Sequence, residues 1–230
     1  MTIIKKFSIF AAIAMLCSCS SISRASKYPN MIADIDPFTI ETIEVTFDAF
    51  FSSKLKITNV DVIFYPRENL VALEFRHELV RYRQFWDQAA RKLFIDALAL
   101  YKEDFAAKNL QFKYNKTRGI YGKLPGKIEW ETFKYTTTYK ANPTMEIGYR
   151  FRKVENRDMP YFTILQRSAR ENSGSVSGTS LESMQIPMYY TRAQGDALAR
   201  LFDQNFLREL VNAVTVEPEI ETIPVIGDKY

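Results

Sequence analysis

The chain has 230 residues, of which 47% are hydrophobic and 14% aromatic, enough apolar content for one sizeable core and too much for a disordered tail. Its formal net charge of +4 is small for 31 basic and 27 acidic side chains, so charge gives no argument for nucleic acid. With one histidine, every multi-histidine metal site is excluded, and the two cysteines are too few for a four-cysteine site.

The chain opens with Lys5 and Lys6, an apolar run from Phe7 to Leu16, and the stretch Leu16-Cys17-Ser18-Cys19. The run is about ten residues, short of the roughly 20 needed to span a bilayer as a helix. This arrangement resembles a bacterial lipoprotein signal. In that pattern a leucine stands three residues before the modified cysteine and a small residue just before it. Leu16 and Ser18 match for Cys19. The resemblance implies that residues 1–18 are a signal peptide and that Cys19 becomes an acylated N-terminus. Cys17 is the alternative, but it places bulky Leu16 next to the cut. The resemblance further implies a membrane partner through the lipid and a cell-envelope location. Ser20 stands where some bacteria read an Asp as an inner-membrane retention signal, which favours the outer membrane. It covers only the first twenty residues, and no motif ties the folded part to a family.

Removing residues 1–18 takes Lys5 and Lys6 from the 31 basic side chains and no acid, leaving 29 against 27. With Cys17 removed and Cys19 acylated, no thiol remains for a disulfide, a zinc site or a nucleophile. No metal or other cofactor is expected. Residues 19–38, interrupted at Pro29 and Pro37, read as a lipid-anchored tether. A single domain is expected over 39–214, with an extended tail over 215–230 in which 223–226 could add an edge strand.

Within the domain, Ile43, Val45 and Phe47 alternate in a strand over 40–51, and further strands follow over 60–65 and 70–75 with a hairpin loop at 66–69. Tyr82, Trp86, Ala90, Leu93, Ala97, Leu100 and Tyr101 recur at three and four, predicting one long amphipathic helix over 78–108. After the glycines at 119, 122 and 126 a meander is predicted: strands over 128–139, 144–154 and 161–170. The Ser/Gly-rich segment 173–180 reads as a loop, and a last strand runs over 181–190. Thr191 and Gln194 have the spacing of a capping box, so a second helix starts there and ends near Asn212. The expected fold is α+β: an antiparallel sheet of five to seven strands with one long helix and a C-terminal helix packed on one face.

Pairing Tyr139 with Met145 and Val154 with Tyr161 places Phe133, Tyr135, Tyr149, Phe151, Phe162 and Ile164 on one face. Thr132, Lys134, Thr136, Thr138, Arg150, Arg152, Thr163 and Arg167 fall on the other. Lys134, Arg150, Arg152 and Arg167 are therefore the candidate anionic-ligand face, since guanidinium forks suit phosphate and carboxylate oxygens. The solvated side of a sheet has the same composition. Glu129 and Glu131, two apart on a strand and about 7 Å between α-carbons, are the candidate acid/base pair of a glycosidase-like site. His77, between Arg76 and Glu78, reads as a structural histidine. Three functions follow: a non-enzymatic envelope module binding a partner protein or an anionic lipid or glycan, a hydrolase acting on periplasmic glycan, or a purely structural envelope component.

Overall fold

The computed structural model describes residues 28–49, 54–111, 119–132, 137–172 and 181–215. Cys19, Lys134, the 173–180 loop and the 223–226 edge strand lie outside the described residues. Ten strands form one antiparallel sheet: β1 (Phe38–Asp48), β2 (Leu55–Tyr65), β3 (Leu70–His77), β4 (Val80–Trp86), β5 (Ile120–Pro125), β6 (Lys127–Thr132), β7 (Thr138–Ala141), β8 (Thr144–Val154), β9 (Arg157–Gln166) and β10 (Ile186–Tyr190). Among the described residues three helices join them: α1 (Gln88–Ala106), α2 (Arg192–Phe202) and α3 (Gln204–Thr215). The strand order is β5-β8-β9-β10-β1-β2-β3-β4-β6-β7, and the sheet curls into a half-barrel.

This corrects the expectation of an α+β sheet of five to seven strands: the described residues are mostly β, with ten strands and three helices. The largest difference is the segment 78–87. Tyr82, Trp86 and Ala90 are four apart, a spacing that fits a helix, but four is also an even number. Val80, Tyr82, Gln84 and Trp86 face one side of a strand and Arg81, Arg83 and Phe85 the other. Glu78 at φ 55° makes the tight turn after β3, and Asp87 ends β4 by capping α1 through Ala90 N–H at 2.8 Å. The helix is therefore 19 residues long. The predicted strand 128–139 divides into β6 and β7, a hairpin pairing Glu131 with Thr138. β7 pairs with β6, so Tyr139 does not face Met145. β8 and β9 are one hairpin with Val154 opposite Arg157, not Tyr161. The shift is four residues, an even number, so the assignment of side chains to faces on these two strands stands.

β5 escaped prediction because Gly119 and Gly122 look like loop punctuation. Glycine is required by contact instead. A Cβ on Gly148 of β8 would lie 1.8 Å from the Gly119 carbonyl oxygen, so only a bare backbone lets β5 and β8 approach. The two sheet arms meet where β5 runs through Gly126 into β6 and β7 turns into β8. There the Gly126 N–H donates to the Pro143 carbonyl at 2.7 Å.

The inner face of the curl carries Val45, Phe47, Val62, Leu73, Tyr82, Trp130, Ile147, Phe162, Ile164 and Met188, all buried. α2 packs on β1, β9 and β10, while α1 packs on β4, β5, β8 and α2. Phe94 of α1 is the centre of this filling, with the rings of Phe202 at 5.1 Å, Phe162 at 5.3 Å, Trp86 at 6.2 Å and Tyr190 at 6.3 Å. Truncating such a ring costs about 3–5 kcal/mol. The capping box at Thr191 and Gln194 is present, and the second helix divides at Asp203, whose carboxylate caps α3 through the N–H groups of Asn205 and Phe206.

Candidate functional site

Alternation sends every second residue of each strand to the outer face, and on β1–β4, β6 and β7 those residues form a transverse row. Thr42, Asp61, Glu74, Arg83, Glu129 and Lys140 stand across from one another on adjacent strands. Glu74 receives both Arg81 and Arg83. Burial pushes its carboxyl up, but the hydrogen bonds from the two guanidinium groups outweigh this and hold it below the usual glutamate range.

Both candidate acid/base residues belong to this network. Glu129 is 2.9 Å from the Lys140 ammonium and 3.5 Å from the Arg83 guanidinium. Glu131 accepts from the Thr138 hydroxyl at 2.8 Å and lies 3.9 Å from Arg81. The hollow that the two glutamates share with Glu74, Arg81 and Arg83 holds about 10 Å³, room for a water and not for a sugar ring. The geometry joins these carboxylates to cations rather than to a substrate cleft.

The candidate anionic-ligand face falls on the other arm of the sheet. Arg150 and Arg152 of β8 and Thr163 of β9 do share the outer face. Arg152 pairs with Asp48 and lies over the Tyr189 ring at 5.3 Å. Tyr189 donates to Asp48 at 2.9 Å; burial and then that carboxylate push its hydroxyl pKa well up. Arg167 donates to Glu146 at 2.8 Å and to Gln185 at 3.1 Å, while Lys123 approaches Glu146 at 3.1 Å. Burial raises the Glu146 carboxyl, and the Lys123 and Arg167 bonds more than reverse it. Two of the three described arginines are thus neutralised by acids that the sequence reading had not placed beside them. Arg150 has no carboxylate partner among the described residues. It is half-buried on the strand pair that also presents half-buried Tyr161 and exposed Met159.

His77 is on the inner face, 5.6 Å from the Phe47 ring. Burial lowers its pKa, against the pull of Glu78. It is a core histidine. α1 exposes one large apolar side chain, Leu100, so the helix presents no apolar strip to an outside partner. Among the described residues no cluster of His, Cys, Asp and Glu could hold a metal, and no helix is long and apolar enough to cross a membrane.

One group that sequence reasoning missed is Arg91. On an amphipathic helix it reads as a solvated cation, yet it is 1% exposed. Its Nε donates to the Phe202 carbonyl at 3.2 Å. Nη1 donates to the carbonyls of Asn69 at 2.8 Å and Trp86 at 3.1 Å, and Nη2 to Asn69 Oδ1 at 2.8 Å and Gln204 Oε1 at 2.6 Å. Every acceptor is neutral. Burial lowers its pKa to about 10, against the through-space pull of Asp87. The only sequence signal is its place on the stripe with Ala90, Phe94 and Leu98.

No curated protein and no solved structure matches the chain. A family model described as "Uncharacterised Treponema protein" matches residues 37–209, most of the chain, and the chain belongs to that family.

Proposed function

We propose that this is a lipid-anchored protein of the bacterial cell envelope, held by acylated Cys19 with the outer membrane favoured. Its domain is a non-enzymatic module that binds a partner protein or an anionic lipid or glycan. The observation that carries the binding part is the outer face of β8 and β9. There Arg150, without a carboxylate partner among the described residues, lies on the same strand pair as Tyr161 and Met159. Arginine, tyrosine and methionine are the side chains enriched in binding surfaces. The ion-paired state of Glu129 and Glu131 supports binding over hydrolysis.

Replacing Arg152 or Arg167 would take a cationic partner from Asp48 or Glu146, so the test uses Arg150. A photo-crosslinking residue at 150 or 161, activated in the protein's own envelope, should capture one recurrent partner, and Arg150→Glu should abolish capture from 161 while leaving the melting temperature unchanged. Random capture at both positions overturns the binding face. Mass spectrometry of the N-terminal peptide tests the anchor: a diacylglyceryl group on Cys19 is expected, and Cys19→Ala should release the chain from membranes. An unmodified N-terminus overturns the localisation.

A further inference from the structure

An open groove of about 440 Å³ lies beside the β2–β3 turn, between the segment 29–32, the start of α1 and one side of α3. Its polar lining is Asn30, Asn69, Gln88, Gln204, Arg208 and Asn212, with no acidic side chain among the described residues. The volume is within the range of small-molecule sites, about 300–1,000 Å³. The wall is pinned rather than draped: the Ile32 N–H donates to the Pro66 carbonyl at 2.9 Å, and Arg67 clasps Asp34 and Asp36.

Arg91 decides which way two of the amides are turned. Its guanidinium takes Oδ1 of Asn69 and Oε1 of Gln204, which leaves Nδ2 and Nε2, both donors, on the other branch of each side chain. The Gln204 Nε2 is covered and has no hydrogen-bond acceptor among the described residues, an unfavourable state; the charged donor open to a ligand in the groove is exposed Arg208. Arg208 among neutral amides, in front of a buried cation and with no acid among the described lining residues, suits an oxyanion. Asn30, Gln88 and Asn212 each offer both a donor and an acceptor, the pattern that hydroxyl groups need.

We infer that this groove binds a small anionic carbohydrate, a sugar carboxylate or a sugar phosphate, with Arg91 as a positioning residue behind the floor. The site goes beyond the reading above: it shares no residue with the outer face of β8 and β9 and does not depend on the lipid anchor.

The test is saturation-transfer NMR and calorimetry on the full chain in detergent, with glucuronate, glucose 6-phosphate, glucose and inorganic phosphate as probes. At least one of the two anionic sugars should bind, and the tighter of them names the anion. Glucose and inorganic phosphate should each bind at least about tenfold more weakly, a difference of about 1.4 kcal/mol. Arg208→Gln and Asn212→Ala, both near the surface of α3, should each weaken the sugar by a similar factor at unchanged melting temperature. Arg91→Lys should weaken it further, because an ammonium cannot hold both amide oxygens in a planar fork. The site is overturned if neither anionic sugar binds at millimolar concentration, or if Arg208→Gln and Asn212→Ala leave binding unchanged. Inorganic phosphate binding as tightly as glucose 6-phosphate overturns the carbohydrate assignment.

Discussion

Arg91 reaches chain segments that have no common secondary structure: the β2–β3 turn at Asn69, the end of β4 at Trp86 and the α2–α3 junction at Phe202 and Gln204. Its five N–H donations match the five acceptors in a way that the three donors of a lysine cannot. Arg91→Lys is expected to lower stability by about 2–3 kcal/mol, since hydrogen bonds to charged groups contribute about 1.5–3 kcal/mol each and part of the set survives. Urea unfolding checks it; a midpoint equal to that of the unsubstituted chain would remove the role. Glu74 gives a pH prediction. Its folded pKa lies below the ordinary value, so between the two values the unfolded chain binds more protons and stability rises with pH. The contribution is complete above about pH 4.3, the ordinary value, and is lost as pH falls through the lowered one. Glu74→Gln should therefore cost about 2 kcal/mol near neutrality and much less at the acid end, flattening the acid limb of an unfolding titration. A parallel downward offset at every pH would contradict it. Glu146, also lowered, keeps some slope in that variant.

At the scale of elements, turn and cap chemistry was readable and partner choice was not. Thr191 with Gln194 announced the start of α2, because a hydroxyl and an amide three residues apart satisfy two orphan N–H groups reciprocally. Thr191→Ala should lower stability by about 1 kcal/mol, seen as a fall in melting temperature; because Gln194 also bonds the Glu44 carbonyl at 2.9 Å, the helix should stay docked on β1, and hydrogen exchange should rise only in its first turn. Exchange rising through all of α2 would contradict this. In the segment 80–86, side chains four apart satisfy both a helix and a strand over one turn, and only pairing with β3 and β6 separates the two. The division of 128–139 into two strands had no Gly, Pro, Asn or Asp to announce it: Thr, Phe and Tyr, good strand residues, run through its middle, and the hairpin is set by the pairing of Glu131 with Thr138.

For the whole molecule, the curl brings β4 and β9, far apart in strand order, into contact through one buried hydrogen bond. Gln84 Nε2 donates to Gln166 Oε1 at 2.9 Å, and Gln166 Nε2 continues to the Met184 carbonyl at 3.1 Å. Removing one amide strands the other, so Gln84→Leu should cost about 1–3 kcal/mol. The double change with Gln166→Leu should cost less than the sum of the two single changes, and a double-mutant cycle that is additive within about 0.5 kcal/mol would show that the two amides do not act as a unit. The sequence alone supplied the resemblance to a lipoprotein signal, the alternation of β1, β8 and β9, the assignment of Arg150 and Arg152 to one face, and the capping box. These rest on spacing within a single segment, which sterics and hydrogen bonding decide locally. The curling of the sheet, the acids that neutralise Arg152, Arg167, Arg81 and Arg83, and the amide-lined groove over Arg91 were decided by tertiary structure. Each joins residues distant in sequence, such as Asp48 with Arg152 and Asn69 with Gln204 through Arg91, and no local pattern encodes which distant charge or amide a side chain will meet.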